Sequence, residues 1–300
     1  MDADNSAQNV LRVNETFYAA DPADYLSTRW QLLMLAGGRR QDLAQLFAQG
    51  IEFAGMEIGP HGSDTPSEPA ELSLDPFLTI ESQMLLHHAA ETTLRIFLAH
   101  CSAEPMPWIV MNSNRNFANF KKTVRSTFVE AHPEPAIVAH VCLGRQTPPS
   151  EISEDDWNAA IAGITLFLTV FAERFLNDAG IYNAIKHGLG VRASTASLIF
   201  GGQQLGGGAS VDFVESDSWN NGERTWSLTT QWVDLGETLG LVRVATQLIE
   251  SIWQVGRFRH LGTRASKPTF FPIALRPDQL RNPSPSPMKR MSWEVAIEKR

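Results

Sequence analysis

Apolar residues recur at helical spacing along most of the chain, and turn-forming residues separate the resulting segments. Asp21-Pro22 and Asp75-Pro76 each place a capping side chain before a proline, a combination that begins helices. We therefore predict a helix after each, the second over about 75–100. The charge-free run Ala159–Ala172 predicts the centre of another helix, over about 155–176. Because the run is shorter than the roughly 20 residues that cross a bilayer, we expect a core helix of a soluble protein.

The pattern changes between about 190 and 234, where short β-branched segments alternate with glycines. The segment 225–233 (TWSLTTQWV) is typical of a strand. The run Gly201–Gly208 lacks the Gly-Lys-Ser/Thr ending of a phosphate-binding loop, so we expect a flexible hairpin loop. Helical spacing returns from Glu237 to about Arg259. The predicted fold class is mainly α, a multi-helix bundle with a small antiparallel β excursion before a long final helix.

Composition and charge add a domain organisation and exclude some partners. We predict one mainly helical domain over 1–266 and a Pro/Ser-rich extended or disordered tail over 267–300. The formal net charge of -8 repels nucleic acid, so DNA binding is not expected, and RNA binding would need a local basic patch. The N-terminus lacks the features of a signal peptide, and two cysteines do not form a disulfide framework. A cytoplasmic location is therefore expected.

The segment Tyr182–His187 concentrates four functional side chains in six positions. On a helix Tyr182 would lie over Lys186, and Asn183 over His187, because residues four apart share a face. An amide one turn away can hold an imidazole in one orientation and tautomer. Lys186 would then be available to meet an anion.

The predicted helix over 75–100 carries a polar stripe bordered by large apolar residues. In one interpretation this stripe is a solvated face with structural ion pairs, such as Glu91 with Arg95. In the other it faces the Tyr182–His187 segment across a groove, and Glu91 or His88 approaches His187. The second interpretation predicts a ligand site formed by Glu81, His88, Glu91, Arg95, Tyr182, Asn183, Lys186 and His187.

Paired helices with a late Asn-x-x-x-His element resemble the HEPN superfamily, helical-bundle proteins of toxin–antitoxin, phage-defence and RNA-processing systems. Active members carry Arg, a polar residue, three variable residues and His. Here Asn183 and His187 match, and Tyr182 replaces the Arg. The resemblance implies Asn183 and His187 as candidate catalytic residues in metal-independent RNA cleavage. Tyrosine cannot supply a fixed cation to a phosphate, which argues for binding rather than cleavage.

The leading hypothesis is a cytosolic, bacterial, HEPN-like protein, associated with defence or toxin–antitoxin systems, that binds a ligand or partner. Two alternatives stay open. One is a metal-independent endoribonuclease with rearranged catalytic residues. The other is a helical-bundle metal protein, for which the candidate ligands are Glu81, His88, Glu91, Glu173 and His187. A purely structural role for Tyr182–His187 is also open, and so is whether the chain is an enzyme.

These hypotheses carry expectations about cofactors and partners. We predict no cofactor, commit to no metal site, and expect no membrane partner. The ligand classes left open are RNA and nucleotides. A protein partner and a homo-oligomer are also left open.

Overall fold

The structure is a computed structural model that describes residues 3–54, 56–58, 74–102, 104–113, 116–188, 190–220, 223–262 and 289–297. Helices predominate in these ranges, which confirms the predicted mainly α class. The chain divides into two compact units. Unit 1 comprises 1–27, 84–183 and 236–284, and unit 2 comprises 28–83, 184–235 and 285–300. Most of the predicted tail lies outside the described residues.

The helices predicted after Asp21-Pro22 and Asp75-Pro76 and over 155–176 begin and end close to where the sequence signals place them. Their bounds are α1 (Ala3–Phe17), α2 (Pro22–Gly38), α3 (Arg40–Gln49), α4 (Leu74–Cys101), α5 (Pro107–Ser113), α6 (Phe117–Val124), α7 (Pro135–Leu143), α8 (Glu154–Asn177), α9 (Ala179–Lys186) and α10 (Leu235–Leu261). At the start of α2, Asp21 Oδ1 accepts the Ala23 N–H at 2.8 Å. At the start of α8, Ser153 Oγ accepts the Asp156 N–H at 3.1 Å. The helices predicted over 75–100 and 155–176 are confirmed as α4 and α8.

The predicted antiparallel excursion is confirmed and belongs to a larger sheet. The strands are β1 (Ile51–Phe53), β2 (Met56–Ile58), β3 (Arg192–Phe200), β4 (Gln203–Asn220), β5 (Glu223–Trp232) and β6 (Arg290–Ile297). β1 pairs with β2, and β3 to β6 form one antiparallel sheet in that order. β6 lies in the segment predicted as a tail. Its apolar residues alternate from Met291 to Ile297, a strand pattern that the Pro/Ser-rich residues upstream conceal.

The glycine-rich run is mostly strand, and its glycines have structural causes. Only Gly201 and Gly202 form a turn, with φ of 58° and 80°, a conformation that glycine adopts without strain. Gly206 lies in β4 beneath the Trp232 indole, where a β-carbon would be 2.8 Å from the ring. Trp232 Nε1 also donates to the Ala196 carbonyl oxygen at 3.0 Å. The prediction of a flexible loop over the whole run is therefore wrong beyond the turn.

Three helices contribute most of the large buried side chains of unit 1. α4, α8 and α10 supply, among others, Leu86, Leu94, Phe97, Leu168, Phe171, Ile249 and Ile252. Within the described ranges α8 alone is long and apolar enough to cross a membrane. Its apolar 18-residue stretch has a mean hydropathy of 1.7, and 44% of that stretch is buried inside the protein. A core helix meets the same criterion of length and composition, so our interpretation of α8 as a core helix stays a prediction.

An ion-pair network joins the end of α8 to the beginning of α10. Arg174 Nη2 donates to Glu237 Oε1 at 2.9 Å, and Nη1 lies 3.5 Å from Asp178 Oδ2. Only 20% of the Arg174 side chain is exposed, and the two carboxylate side chains are less exposed still. Water therefore screens these charges little, and the guanidinium is a direct ionic partner of both carboxylates.

A second polar contact of unit 1 is buried and complete. His100 Nδ1 lies 2.7 Å from the Ile96 carbonyl oxygen, so Nδ1 carries the proton and donates. His100 Nε2 then accepts the Tyr18 hydroxyl at 2.8 Å. Burial lowers the pKa of His100 to about 4 and raises that of Tyr18 well above its usual value. Gly256 of α10 lies against both side chains, which leaves no room for a β-carbon there.

Candidate functional site

The eight residues of the predicted ligand site lie on or beside two helices. Glu81, His88, Glu91 and Arg95 are on α4; Tyr182, Asn183 and Lys186 are on α9; His187 follows α9 directly. Glu81, Lys186 and His187 belong to unit 2, and the other five belong to unit 1. The expected approach of Glu91 or His88 to His187 therefore joins two units and stays a prediction.

The polar stripe of α4 is half-buried, and its charges have partners. Glu91 Oε1 accepts from Arg95 Nε at 2.8 Å, which confirms the predicted pair four residues apart. The Arg95 guanidinium also lies over the Phe120 ring, 3.9 Å from its centroid. In unit 2, Glu81 Oε2 accepts from Arg29 at 2.9 Å. These contacts favour the interpretation of the stripe as a structural set of ion pairs.

The polar side chains at the end of α9 face solvent. Asn183, Lys186 and His187 are exposed, and Tyr182 is half-buried. The helix ends at Lys186, and the Gly188 N–H bonds the Ile185 carbonyl oxygen at 3.0 Å. His187 is therefore in the turn that follows α9 directly, and the expectation that Asn183 lies over His187 stays a prediction. Gly188, with a φ of 62° that favours glycine, follows His187 and prevents the helix from continuing.

Tyr182 covers a histidine that the sequence analysis did not select. Its ring stacks on the ring of His87 in α4, with centroids 4.0 Å apart and planes 16° apart. The Phe175 ring of α8 lies 5.2 Å from His87, at a tilt of 33°. The imidazole thus contacts two aromatic rings, and only 2% of the His87 residue surface is exposed.

Both ring nitrogens of His87 are buried and have no hydrogen-bond partner among the described residues. A neutral imidazole carries one N–H donor and one acceptor, and leaving either unsatisfied costs about 1–3 kcal/mol. Burial, with smaller contributions from the charges of Lys121 and His88, lowers the pKa of His87 to about 4. At neutral pH this ring is therefore uncharged. It carries one N–H donor and one nitrogen acceptor, and neither makes a hydrogen bond to a described residue.

The surroundings of His87 combine aromatic rings with positive charge. The Phe175 ring that flanks His87 is itself in edge contact with Phe117 and Phe120 of α6, at 5.6 and 5.2 Å. Lys121 Nζ lies 4.8 Å from the centroid of Phe117. We call His87, Phe175, Tyr182, Phe117 and Lys121 the His87 site. Chemically, it offers ring stacking, one hydrogen-bond donor, one acceptor and a nearby cation.

Metal chemistry finds no support in the described part of the chain. No group of three or more His, Cys, Asp or Glu side chains within it is arranged to hold a metal ion. The Tyr18–His100 contact is the other buried histidine arrangement of unit 1, but its hydrogen bonds are complete. An incomplete set of hydrogen bonds therefore distinguishes His87 as the candidate site.

Sequence reasoning selected His88 and passed over its neighbour. The stripe was defined by the most polar face of α4, and His87 lies at the edge of that face, 100° from His88. His88 instead meets Tyr25 edge-on, with centroids 6.0 Å apart. The sequence does contain a signal for His87, namely the adjacent pair His87-His88. Two adjacent histidines on a buried helix point in different directions, so one of them has to face a neighbour other than the one that the polar stripe faces.

Comparisons of the chain with protein-family models, curated proteins and solved structures found no match. The HEPN resemblance therefore stays a prediction.

Acidification should destabilise the protein through its buried histidines. The folded-state pKa values of His87 and His100 are about 4, below the ordinary value near 6.5, so the unfolded chain binds protons that the folded chain does not. Stability is complete above about pH 6.5 and falls as the pH drops toward 4, by up to about 1.4 kcal/mol per pH unit for each histidine. Urea unfolding at several pH values between about 7.5 and 5.5 measures this slope.

The variant His87→Phe tests the assignment of that slope to His87. Phenylalanine keeps a ring in contact with Tyr182 and Phe175 but removes the titrating nitrogens. The slope of the unfolding free energy against pH reports how many protons the chain takes up when it unfolds. In His87→Phe this number should be smaller by nearly one than in the unsubstituted chain. Equal slopes in both proteins would contradict a neutral, buried His87.

Proposed function

We propose that the chain is a binding protein whose ligand is a planar, hydrogen-bonding, anionic molecule of nucleotide type, taken up at the His87 site. The observation that carries this proposal is the pair of unpartnered nitrogens of His87 beneath the half-exposed ring of Tyr182. Unsatisfied buried polar groups are rare in folded proteins, and a functional role is one physical reason for such a group. A ligand that bonds either nitrogen recovers the free energy that folding leaves unused.

The geometry around His87 selects the chemistry of the ligand. Tyr182 presents a flat ring to the imidazole, and a nucleobase has the same shape with polar edges added. In the proposal Tyr182 turns outward toward solvent, and the base enters with a polar edge in the plane of the His87 ring, where it bonds a ring nitrogen. Lys121, whose charge already acts on His87, then lies close enough to attract the phosphate.

The proposed ligand site shares one residue with the site predicted from the sequence but has a different histidine at its centre. Tyr182 stays in the site as a gate, and His87 replaces His187 as the hydrogen-bonding centre. We propose in addition that the helices of unit 1 form a HEPN-like bundle, with α10 as its long final helix. The pairing of Arg95 with Glu91 agrees with binding rather than cleavage, because the cation on this face of α4 already has a carboxylate partner.

Three single variants test the proposal by calorimetry with the four nucleoside monophosphates and, separately, inorganic phosphate. His87→Phe should weaken nucleotide binding about tenfold or more, because the ring remains and only the hydrogen-bonding groups are lost. Tyr182→Ala should bind more tightly than the unsubstituted chain, because no free energy is spent in opening the gate. Tyr25→Ala is the matched control: it removes a tyrosine from the neighbouring His88 and should leave the affinity unchanged.

Two results would overturn the proposal. One is equal nucleotide affinity in His87→Phe and the unsubstituted chain. The other is no measurable binding of any of the four nucleotides to the unsubstituted chain. The same proteins, incubated with RNA and EDTA, separate the ribonuclease alternative. Cleavage that survives His87→Phe but is lost in His187→Ala would establish an enzyme at the exposed end of α9 instead.

A further inference from the structure

β3 is an edge of its sheet, and it has few of the features that keep sheet edges from pairing. Among the described strands it has a neighbour on one side only, β4. Its backbone N–H and C=O groups on the other side are a template for another strand. The opposite edge, β6, carries Arg290 and Glu294 in its sequence, whereas the nine residues of β3 include one charge, Arg192, at its first position.

The hairpin that contains β3 is uncharged and has an apolar end. No charged residue occurs between Ala193 and Val211. At the tip, Ile199 is 64% exposed and Phe200 is 77% exposed, the two most exposed large apolar residues among those described. Exposed apolar side chains beside an unpaired strand edge are typical of a surface that another chain covers.

The free edge of β3 is also regular. The pairing of β3 with β4 shifts register between Leu198 and Ile199, where Leu205 is the extra residue. That residue belongs to β4, so the backbone of β3 itself runs without interruption. Bulges and prolines are the devices that usually block an edge, and β3 contains neither in its own sequence.

We propose that β3 pairs with β3 of a second copy of this chain, antiparallel and centred on Ala196. In this register Ile199 of one copy faces Ala193 of the other, and Phe200 faces Arg192. The exposed apolar tip of each hairpin is thereby covered by the start of the partner strand, and Arg192 lies beside an aromatic ring. No residue meets a like charge, although the whole chain carries a net charge of -8.

Thr195 and Ser197 provide a test specific to this register. Both side chains are exposed, and Thr195 of one copy faces Ser197 of the other. Thr195→Lys/Ser197→Lys places lysines opposite lysines and should weaken association about tenfold or more. Thr195→Lys/Ser197→Glu places each lysine opposite a glutamate and should remain a dimer. Light scattering during gel filtration, over a range of protein concentrations, gives the mass of each species.

Each outcome decides for or against the proposal. A monomeric unsubstituted chain, a double-lysine variant that stays dimeric, or a folded lysine–glutamate variant that is monomeric would overturn it. Hydrogen exchange on the unsubstituted chain keeps the test valid if a variant fails to fold. Amide protection of residues 192–200 should rise with protein concentration, whereas protection that does not change with concentration would contradict the pairing.

Discussion

Replacing Gly256 by alanine should lower the free energy of unfolding by about 3 kcal/mol, although alanine favours a helix by about 1 kcal/mol over glycine. The new β-carbon would lie 2.5 Å from the Tyr18 hydroxyl oxygen and closer still to His100 Nε2. One of the three groups must move, and the hydrogen bond between Tyr18 and His100 is then lost in a buried position. The steric effect exceeds the gain in helix propensity because no partner in this contact is a flexible side-chain end.

Gly163→Ala is the matched control for this prediction. Gly163 is also inside a helix, α8, but a β-carbon there would meet nothing within 4 Å. Only the propensity term remains, so stability should rise by up to about 1 kcal/mol. Urea unfolding of both variants gives the two signs directly. Equal effects of the two substitutions would show that the contact of Gly256 with Tyr18 and His100 is not close in solution.

Arg174→Met should destabilise the protein by about 3 kcal/mol. The substitution keeps most of the volume of the side chain but leaves Glu237 and Asp178 without the guanidinium that holds them. Both carboxylate side chains are nearly buried, so water cannot replace the lost partner. Thermal and urea unfolding at neutral pH measure the loss.

Two further variants distinguish the loss of this ion-pair network from a general effect of arginine removal on stability. Arg39→Met removes an exposed partner of Asp42 and should change stability by less than about 0.5 kcal/mol. Removing all three charges with Arg174→Met/Asp178→Asn/Glu237→Gln should restore much of what the single variant loses, since the two nearly buried negative charges are removed together with the guanidinium. A single variant as stable as the unsubstituted chain would mean that water reaches these carboxylates.

Local signals predicted much of the fold. The cap at Asp21 and the apolar spacing of α4 and α8 depend on residues within a few turns of one another, which a sequence displays directly. β6 was not predicted, because its alternating apolar residues follow a Pro/Ser-rich stretch of very different composition. The glycine at position 206 was explained only by Trp232, a residue of another strand.

The candidate site was predictable only in part for a related reason. The Glu91–Arg95 pair lies within one helix and follows from spacing alone. The stack of Tyr182 on His87 joins residues from distant parts of the chain, and no pattern in either helix specifies which of two adjacent histidines it meets. The absence of hydrogen-bond partners for His87 is likewise a property of packed neighbours rather than of sequence.

Unit 1 is built from three separate segments of the chain, and this affects how it folds during synthesis on the ribosome. α10 supplies Gly256 against Tyr18 and His100, Ser251 as donor to the Cys142 carbonyl oxygen, and Glu237 as partner of Arg174. These contacts reach Tyr18, which follows α1, and the helices α4, α7 and α8, all of which leave the exit tunnel earlier. The apolar faces of those helices therefore lack their α10 partner until α10 itself has left the tunnel. During that interval we expect the nascent chain to expose apolar surface of the kind that chaperones bind.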